Sequence, residues 1–242
     1  MTGQLPLDLP HSPRFTEEDF LEAPSNKNAL AMVRLWPDWP QKALLLLGPR
    51  GSGKSHLGAI WARRAGARVF SAKNLHLDLL PDLIAGPALL LEDADAVEPP
   101  EADMFHLLNM AAEKGVFVLI TAQKNPDHWG LATPDLLSRL RRAPTVAIAT
   151  PDEAFLRAIL VKLFYDRQIR VDETVVDFLA LRLERSCEAA QKIVAALDRE
   201  GLARGRPVTT AMGMRDAILA RVASSQIMLS ASRSPGLPGS PW

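Results

Sequence analysis

Leu44-Leu-Leu-Leu-Gly-Pro-Arg-Gly-Ser-Gly-Lys-Ser55 sets four consecutive leucines directly before a complete G-x-x-x-x-G-K-S pattern. The apolar run is short and is closed by Gly-Pro, so it predicts a buried strand over Ala43–Leu47. Gly48, Gly51 and Gly53 allow the backbone to turn its N–H groups toward a phosphate chain, which a Cβ would obstruct. A helix expected over His56–Arg64 offers its positive end to the same anion. In such a loop Pro49, Arg50 and Ser52 complete the cradle and His56 follows on the helix. Lys54 meets the β- and γ-phosphates, and Ser55 holds Mg²⁺ through its hydroxyl.

Working outward from this loop, short apolar runs recur at Arg68–Phe70, Ala88–Leu91, Val116–Thr121 and Thr145–Ile148. Helical patterns separate them at Lys54–Arg64, Lys73–Leu80, Glu101–Lys114 and Pro134–Leu140, and a further helix is expected over Asn26–Leu35, capped by Ser25 or Asn26. Alternation of this kind predicts an α/β domain over residues 14–150, a parallel sheet with helices on both faces and a ligand at the C-terminal strand ends. After residue 150 the strand signals stop. Phe155–Arg167, Glu173–Glu184, Ser186–Glu200 and Thr210–Val222 read as amphipathic helices of a small all-α lid domain over 151–222. Residues 1–13 read as a flexible peptide, and the Ser/Pro/Gly-rich stretch 223–242 as a disordered tail.

Composition narrows the function. Lys+Arg and Asp+Glu are equal at 28 each in 242 residues, so the summed field favours neither nucleic acid nor an anionic membrane, and strong direct DNA binding is not expected. The single cysteine, Cys187, cannot form an internal disulfide, and no apolar run approaches the roughly 18 residues that span a bilayer. With no secretory leader at its start, the chain is expected to be cytoplasmic. The five histidines show no metal-ligand spacing, and Trp36 and Trp39 read as packing residues.

Glu92-Asp93 ends the third strand, where a phosphate-loop protein needs carboxylates for Mg²⁺ and for the attacking water. The usual residue at the metal position is Asp, so Glu92 displaces its carboxylate by about a bond length. Thr121 ends the fourth strand with a hydroxyl, though Thr is common at strand ends and marks no site by itself. Arg139 lies near the end of a helix just ahead of the fifth strand. An exposed arginine there reaches a neighbouring subunit's phosphate if one docks, but an arginine beside Arg141 and Arg142 is ordinarily a solvated charge.

The phosphate loop, Glu92-Asp93, Ser138-Arg-Leu140 and above all Pro151-Asp-Glu-Ala-Phe-Leu-Arg-Ala-Ile-Leu-Val-Lys-Leu-Phe-Tyr-Asp-Arg-Gln-Ile-Arg-Val171 give the chain a family resemblance. Over about residues 1–222 it resembles the AAA+ ATPase module of the bacterial initiator DnaA, and more closely the Hda-type paralogues that inactivate DnaA. A counterpart of DnaA's DNA-binding helix-turn-helix domain is not expected in the polar stretch after the lid. The resemblance implies bound ADP or ATP with Mg²⁺ on Ser55 and Glu92, Thr121 near the γ-phosphate, and Leu21 and Asn26 in a segment closing over adenine. It aligns Gln191 with the family's second sensor arginine, which leaves Lys192 as the nearest cation and implies weak intrinsic hydrolysis. Gln4-Leu-Pro-Leu-Asp-Leu9 is similar to peptides that dock on the DNA polymerase III sliding clamp through Gln4, Leu5, Leu7 and Leu9. The implied partners are therefore DnaA and the clamp, at the nucleoid or replisome, with Arg139 as an arginine finger in trans. Whether the free chain is a monomer or a homodimer stays open, as does the alternative of an autonomous AAA+ helicase loader or remodeller that cycles its own ATP.

Overall fold

The computed structural model describes residues 15–95 and 101–204, with side chains to residue 199. Leucines 44–47 form most of β1 (Ala43–Leu47), and no position on the strand is polar because both of its faces are covered. Leu44 and Leu46 enter one core and Leu45 enters the other, as the two-residue strand period requires. The other strands are β2 (Arg68–Ser71), β3 (Ala88–Glu92), β4 (Phe117–Ala122) and β5 (Thr145–Ala147). All pairings are parallel and the order is β2-β3-β4-β1-β5. The chain leaves β1 for the far edge at β2, returns through β3 and β4, then crosses β1 to β5. β4 thus lies between β1 and β3, and their C-terminal ends open on one edge at the switch in strand order, the favoured ligand position in such sheets.

Two helical layers enclose this sheet. On one face α1 (Lys27–Leu35) and α2 (Lys54–Ala65) supply Leu30, Val33, Leu57, Ile60 and Trp61. On the other, α3 (Leu80–Leu83), α4 (Glu101–Lys114) and α5 (Pro134–Arg142) supply Leu80, Met104, Leu107, Leu136 and Leu140. α2 lies so close to the sheet that a Cβ on Gly58 would meet Leu90 Cδ2 at 3.0 Å, which accounts for a glycine inside an otherwise good helix. Trp39 stacks on the fully buried Trp61 at 5.2 Å between centroids, and its indole N–H donates to Met32 O at 2.7 Å. Trp36 packs edge-on against Phe117.

Two local expectations change. Lys73–Leu80 is not one helix but two 3₁₀ turns, Ala72–Asn74 and Leu77–Leu79, followed by the single turn of α3. Leu75 and His76 are extended between the two turns, and Pro81 has no N–H to continue a helix from them, so it opens α3 instead. α1 begins at Lys27, and neither Ser25 nor Asn26 caps it through its side chain, because the Asn26 amide turns back to the chain before it.

The chain divides into two compact units between Asp152 and Glu153. In the second unit α6 (Glu153–Asp166) packs against both α7 (Glu173–Arg182) and α8 (Cys187–Arg204). Phe155, Leu156, Phe164, Leu179, Val194 and Leu197 are buried within it. Arg157 bridges to Asp177 at 2.7 Å, which links α6 to α7. Asp172 caps α7 by accepting from Thr174 N–H, and Ser186 caps α8 by accepting from Ala189 N–H at 3.0 Å. The expected helix Thr210–Val222 and the tail lie outside the described residues. Among the described residues no helix is long and apolar enough to cross a membrane.

Cys187 opens α8, and burial pushes its thiol up to about 11. At pH 8 this lowers the thiolate fraction while raising the thiolate's intrinsic nucleophilicity. The expected net effect is alkylation by iodoacetamide about tenfold slower in the native protein than in guanidinium, measured by mass spectrometry.

Candidate functional site

The loop after β1 is shaped by its glycines. Gly51 and Gly53 have φ of 70° and 104°, in the left-handed region, and Lys54 then begins α2. A Cβ on Gly48 would lie 2.7 Å from both Ile148 O and Ser52 Oγ, so the loop closes against the end of β5 only with glycine there. Gly48 N–H donates to Ala122 O at 3.1 Å, which ties the loop to the end of β4. Ser52 is buried and its hydroxyl has no hydrogen-bond partner among the described residues. Lys54 is also buried, and its ammonium donates to Gly48 O at 2.7 Å and Pro49 O at 3.0 Å. Burial holds its pKa below the ordinary lysine value, and the carboxylates of Asp93, Asp95 and Glu92 pull the other way. Ser55 is exposed on the first turn of α2.

The carboxylates facing Lys54 come from the end of β3 and the turn after it. Glu92 is half-buried and Asp93 is exposed, with φ of 54° at Asp93. Asp93 N–H donates to Thr121 Oγ1 at 3.0 Å, and Ala94 N–H to Thr121 O at 2.8 Å. Thr121 is 1% exposed, and its oxygen serves as the acceptor, so the hydroxyl proton is left for another partner. The structure therefore brings together the loop, Glu92, Asp93 and Thr121 at the ends of three adjacent strands. It adds Asp95, whose carboxylate accepts from Gln123 N–H and Lys124 N–H.

Segment 15–26 flanks the same loop. His56 Nε2 meets Thr16 O at 2.9 Å, and its ring lies against Phe15 and Phe20. Phe20 Cε2 is 3.8 Å from where a Cβ on Gly53 would sit. Asn26 is buried, accepting from Ala23 N–H at 2.9 Å and donating to Leu21 O at 2.8 Å, so its amide joins Leu21 and Asn26 in one turn. Ala149 N–H donates to Ser25 O at 2.9 Å and fixes that turn beside the end of β5.

Arg139 stands apart from this cluster, in the α4/α5 layer. It is half-buried rather than exposed, with its guanidinium carbon 5.8 Å from the centre of the Phe105 ring. Its buried Nε has no hydrogen-bond partner among the described residues, whereas Arg141 is paired with Asp127 at 2.6 Å. Glu101 at the start of α4 fixes the approach to α5, accepting from Ala132 N–H at 2.8 Å and Thr133 N–H at 2.6 Å. Hydrogen bonds from Thr133 and Ala132 hold the Glu101 carboxyl below the ordinary value.

No protein-family model matches the chain. Solved structures do. The chain is similar to domain III of the replication initiation protein DnaA from Thermotoga maritima, with TM-score 0.73 and 20% identity over 87% of this chain and 97% of that one. It is similar to AMPPCP-bound DnaA from Aquifex aeolicus, with TM-score 0.63 and 20% identity over 80% and 69%. It is also similar to the RuvB Holliday junction branch migration motor of Thermotoga maritima, with TM-score 0.66 and 15% identity over 85% and 71%. The fold is that of an AAA+ P-loop NTPase.

Gln191 and Lys192 belong to the second unit, on α8, where Gln191 is half-buried and Lys192 is exposed and ion-paired with Glu188. Gln4, Leu5, Leu7 and Leu9 lie outside the described residues. Among the described residues no group of three or more His, Cys, Asp and Glu side chains is arranged to hold a metal ion. Asp95 and Glu101 escaped the sequence reading because the amides they accept from are 28 to 32 residues away, and no local pattern marks such bonds.

Gly48→Ala is expected to lower stability by about 1–3 kcal/mol through overpacking against Ile148 O, measured by urea denaturation. Glu101 gives a pH test. Its folded value is below the unfolded one, so its contribution is complete above about pH 4.5 and is lost as pH falls through the folded value. Wild type is expected to exceed Glu101→Gln in stability at pH 7, with the gap closing under acid in parallel melts of the two proteins.

Proposed function

We propose that this chain is a nucleotide-bound AAA+ regulator that docks on the DNA-loaded sliding clamp through Gln4–Leu9 and promotes hydrolysis of the ATP held by DnaA. The product is ADP-bound, inactive DnaA, which limits re-initiation of chromosome replication. The observation that carries this reading is Arg139. Its guanidinium makes no ion pair or hydrogen bond among the described residues, and it sits outside the chain's own loop cluster, while Arg141 nearby is neutralised by Asp127. An arginine held without a carboxylate keeps its charge available for a phosphate on another molecule.

In this reading the chain's own loop binds ADP or ATP. The unpartnered Ser52 hydroxyl, the left-handed Gly51 and Gly53 and the start of α2 fit a phosphate chain. Lys54 would exchange the carbonyls of Gly48 and Pro49 for phosphate oxygens. Mg²⁺ would rest on Ser55 and Glu92, whose oxygens suit this hard cation. When bound, the ion neutralises phosphate charge. Leu21 and Asn26 would line the wall near the base. The neutral charge balance argues against strong direct DNA binding.

A second reading, an autonomous AAA+ helicase loader or remodeller, is favoured by the Thr121–Asp93 hydrogen bond, which keeps a hydroxyl and two acids aligned in the chain's own site. One experiment separates the two. DnaA is loaded with radiolabelled ATP and conversion to ADP is followed with this chain and DNA-loaded clamp, each omitted in turn. Conversion that requires both components is expected, and Arg139→Ala is expected to reduce it by about 10³-fold or more while nucleotide binding by the chain is unchanged. Label that stays as ATP while the chain rapidly hydrolyses free ATP would establish the autonomous enzyme instead.

A further inference from the structure

The turn that follows β3 is held by a side chain whose bonds cross to the neighbouring strand. The β3–β4 ladder runs in register from Ala88↔Phe117 to Leu91↔Ile120 and ends beside Thr121. There Asp93 adopts its left-handed conformation and hands its N–H to the Thr121 hydroxyl, and Ala94 hands its N–H to the Thr121 carbonyl. Asp95 then reaches past Ala122. Its Oδ2 accepts from Gln123 N–H and from Lys124 N–H, each at 2.8 Å, while its Oδ1 is buried and accepts no hydrogen bond among the described residues. Four hydrogen bonds thus join residues 93–95 to 121–124. A non-glycine residue in a left-handed conformation persists only where its surroundings over-determine it, and these bonds supply that constraint.

We propose that Asp95 is a positioning residue: by clipping residues 123–124 to the turn after β3 it holds the Thr121 hydroxyl at the Asp93 N–H, and so sets the rate at which ATP bound in this chain's own site is hydrolysed. The proposal rests on the nucleotide-site reading of the strand ends. Asp95 works through Thr121 and is given no contact with nucleotide. What it supplies to the end of β4 is an oxygen at a fixed position, since both N–H groups fall on Oδ2; its charge, one of three that raise the Lys54 pKa, is a separate effect, which Asp95→Asn removes and Asp95→Glu keeps. An asparagine offers that oxygen in the same place, whereas a glutamate keeps the charge and shifts the oxygen by a methylene. Displacements near 1 Å in a catalytic constellation lower rates by about 10²-fold, so a small slip of the β4 end registers in turnover before it registers in binding.

The test uses the full chain in four forms: wild type, Asp95→Ala, Asp95→Asn and Asp95→Glu. For each, the dissociation constant for a fluorescent ADP analogue and the single-turnover rate of ATP hydrolysis are measured. The expected result is ADP binding unchanged throughout, hydrolysis lowered about 10- to 100-fold in Asp95→Ala and Asp95→Glu, and hydrolysis near wild type in Asp95→Asn. The contrast between Asp95→Glu and Asp95→Asn keeps the test decisive if Asp95→Ala does not fold. Wild-type turnover in Asp95→Glu, loss of turnover in Asp95→Asn, or weakened ADP binding in the variants overturns the assignment. So does a wild type that binds ADP without any single-turnover hydrolysis. A wild type that binds no nucleotide overturns the site reading itself, which separates the two failures.

Discussion

A parallel sheet covered on both faces has nowhere for polar chemistry except its strand ends. That constraint governs this molecule. β1, β3 and β4 are apolar almost throughout because α1 and α2 close one face and α3–α5 the other. Where these strands stop, polar groups gather at once: Gly48 and the loop after β1, Glu92 and Asp93 after β3, Thr121 near the end of β4. Insertion of β4 between β1 and β3 lets Thr121 receive Asp93 N–H while the loop bonds to Ala122. The site is thus a product of topology as much as of the residues that line it.

This division between core and edge also decides what the amino-acid sequence discloses. Ala43–Leu47 and Glu101–Lys114 have the bounds read from the apolar pattern, since an element buried along its length imposes its period on the chain. The 73–80 segment misleads for the opposite reason. Its leucines include the exposed Leu77 and Leu79, so their spacing mimics a helix face that nothing covers. Asn26 likewise occupies a capping position, but its amide is engaged by Leu21 and Ala23, a choice made by tertiary packing that capping preference does not encode. Most of the site's chemistry is local in the chain and therefore legible. The supports given by Asp95 and Glu101 are long-range carboxylate-to-amide bonds, and those appear only once the fold brings the partners together.

Charge placement distinguishes the two edges of the function. Around the loop, Lys54 is buried, bonded to its own backbone and faced by three acids, so this cation is already compensated before any ligand arrives. Arg139 is the contrary case, half-buried against Phe105 with no ion pair or hydrogen bond among the described residues. One cation is thus bound within its own loop, and the other makes no polar bond among the described residues.

The His56–Thr16 contact makes α2 the mooring of segment 15–20. Phe15, Thr16 and Phe20 are held on the helix that follows the phosphate loop. A displacement of that segment therefore reaches the phosphate loop's own helix before it reaches the sheet.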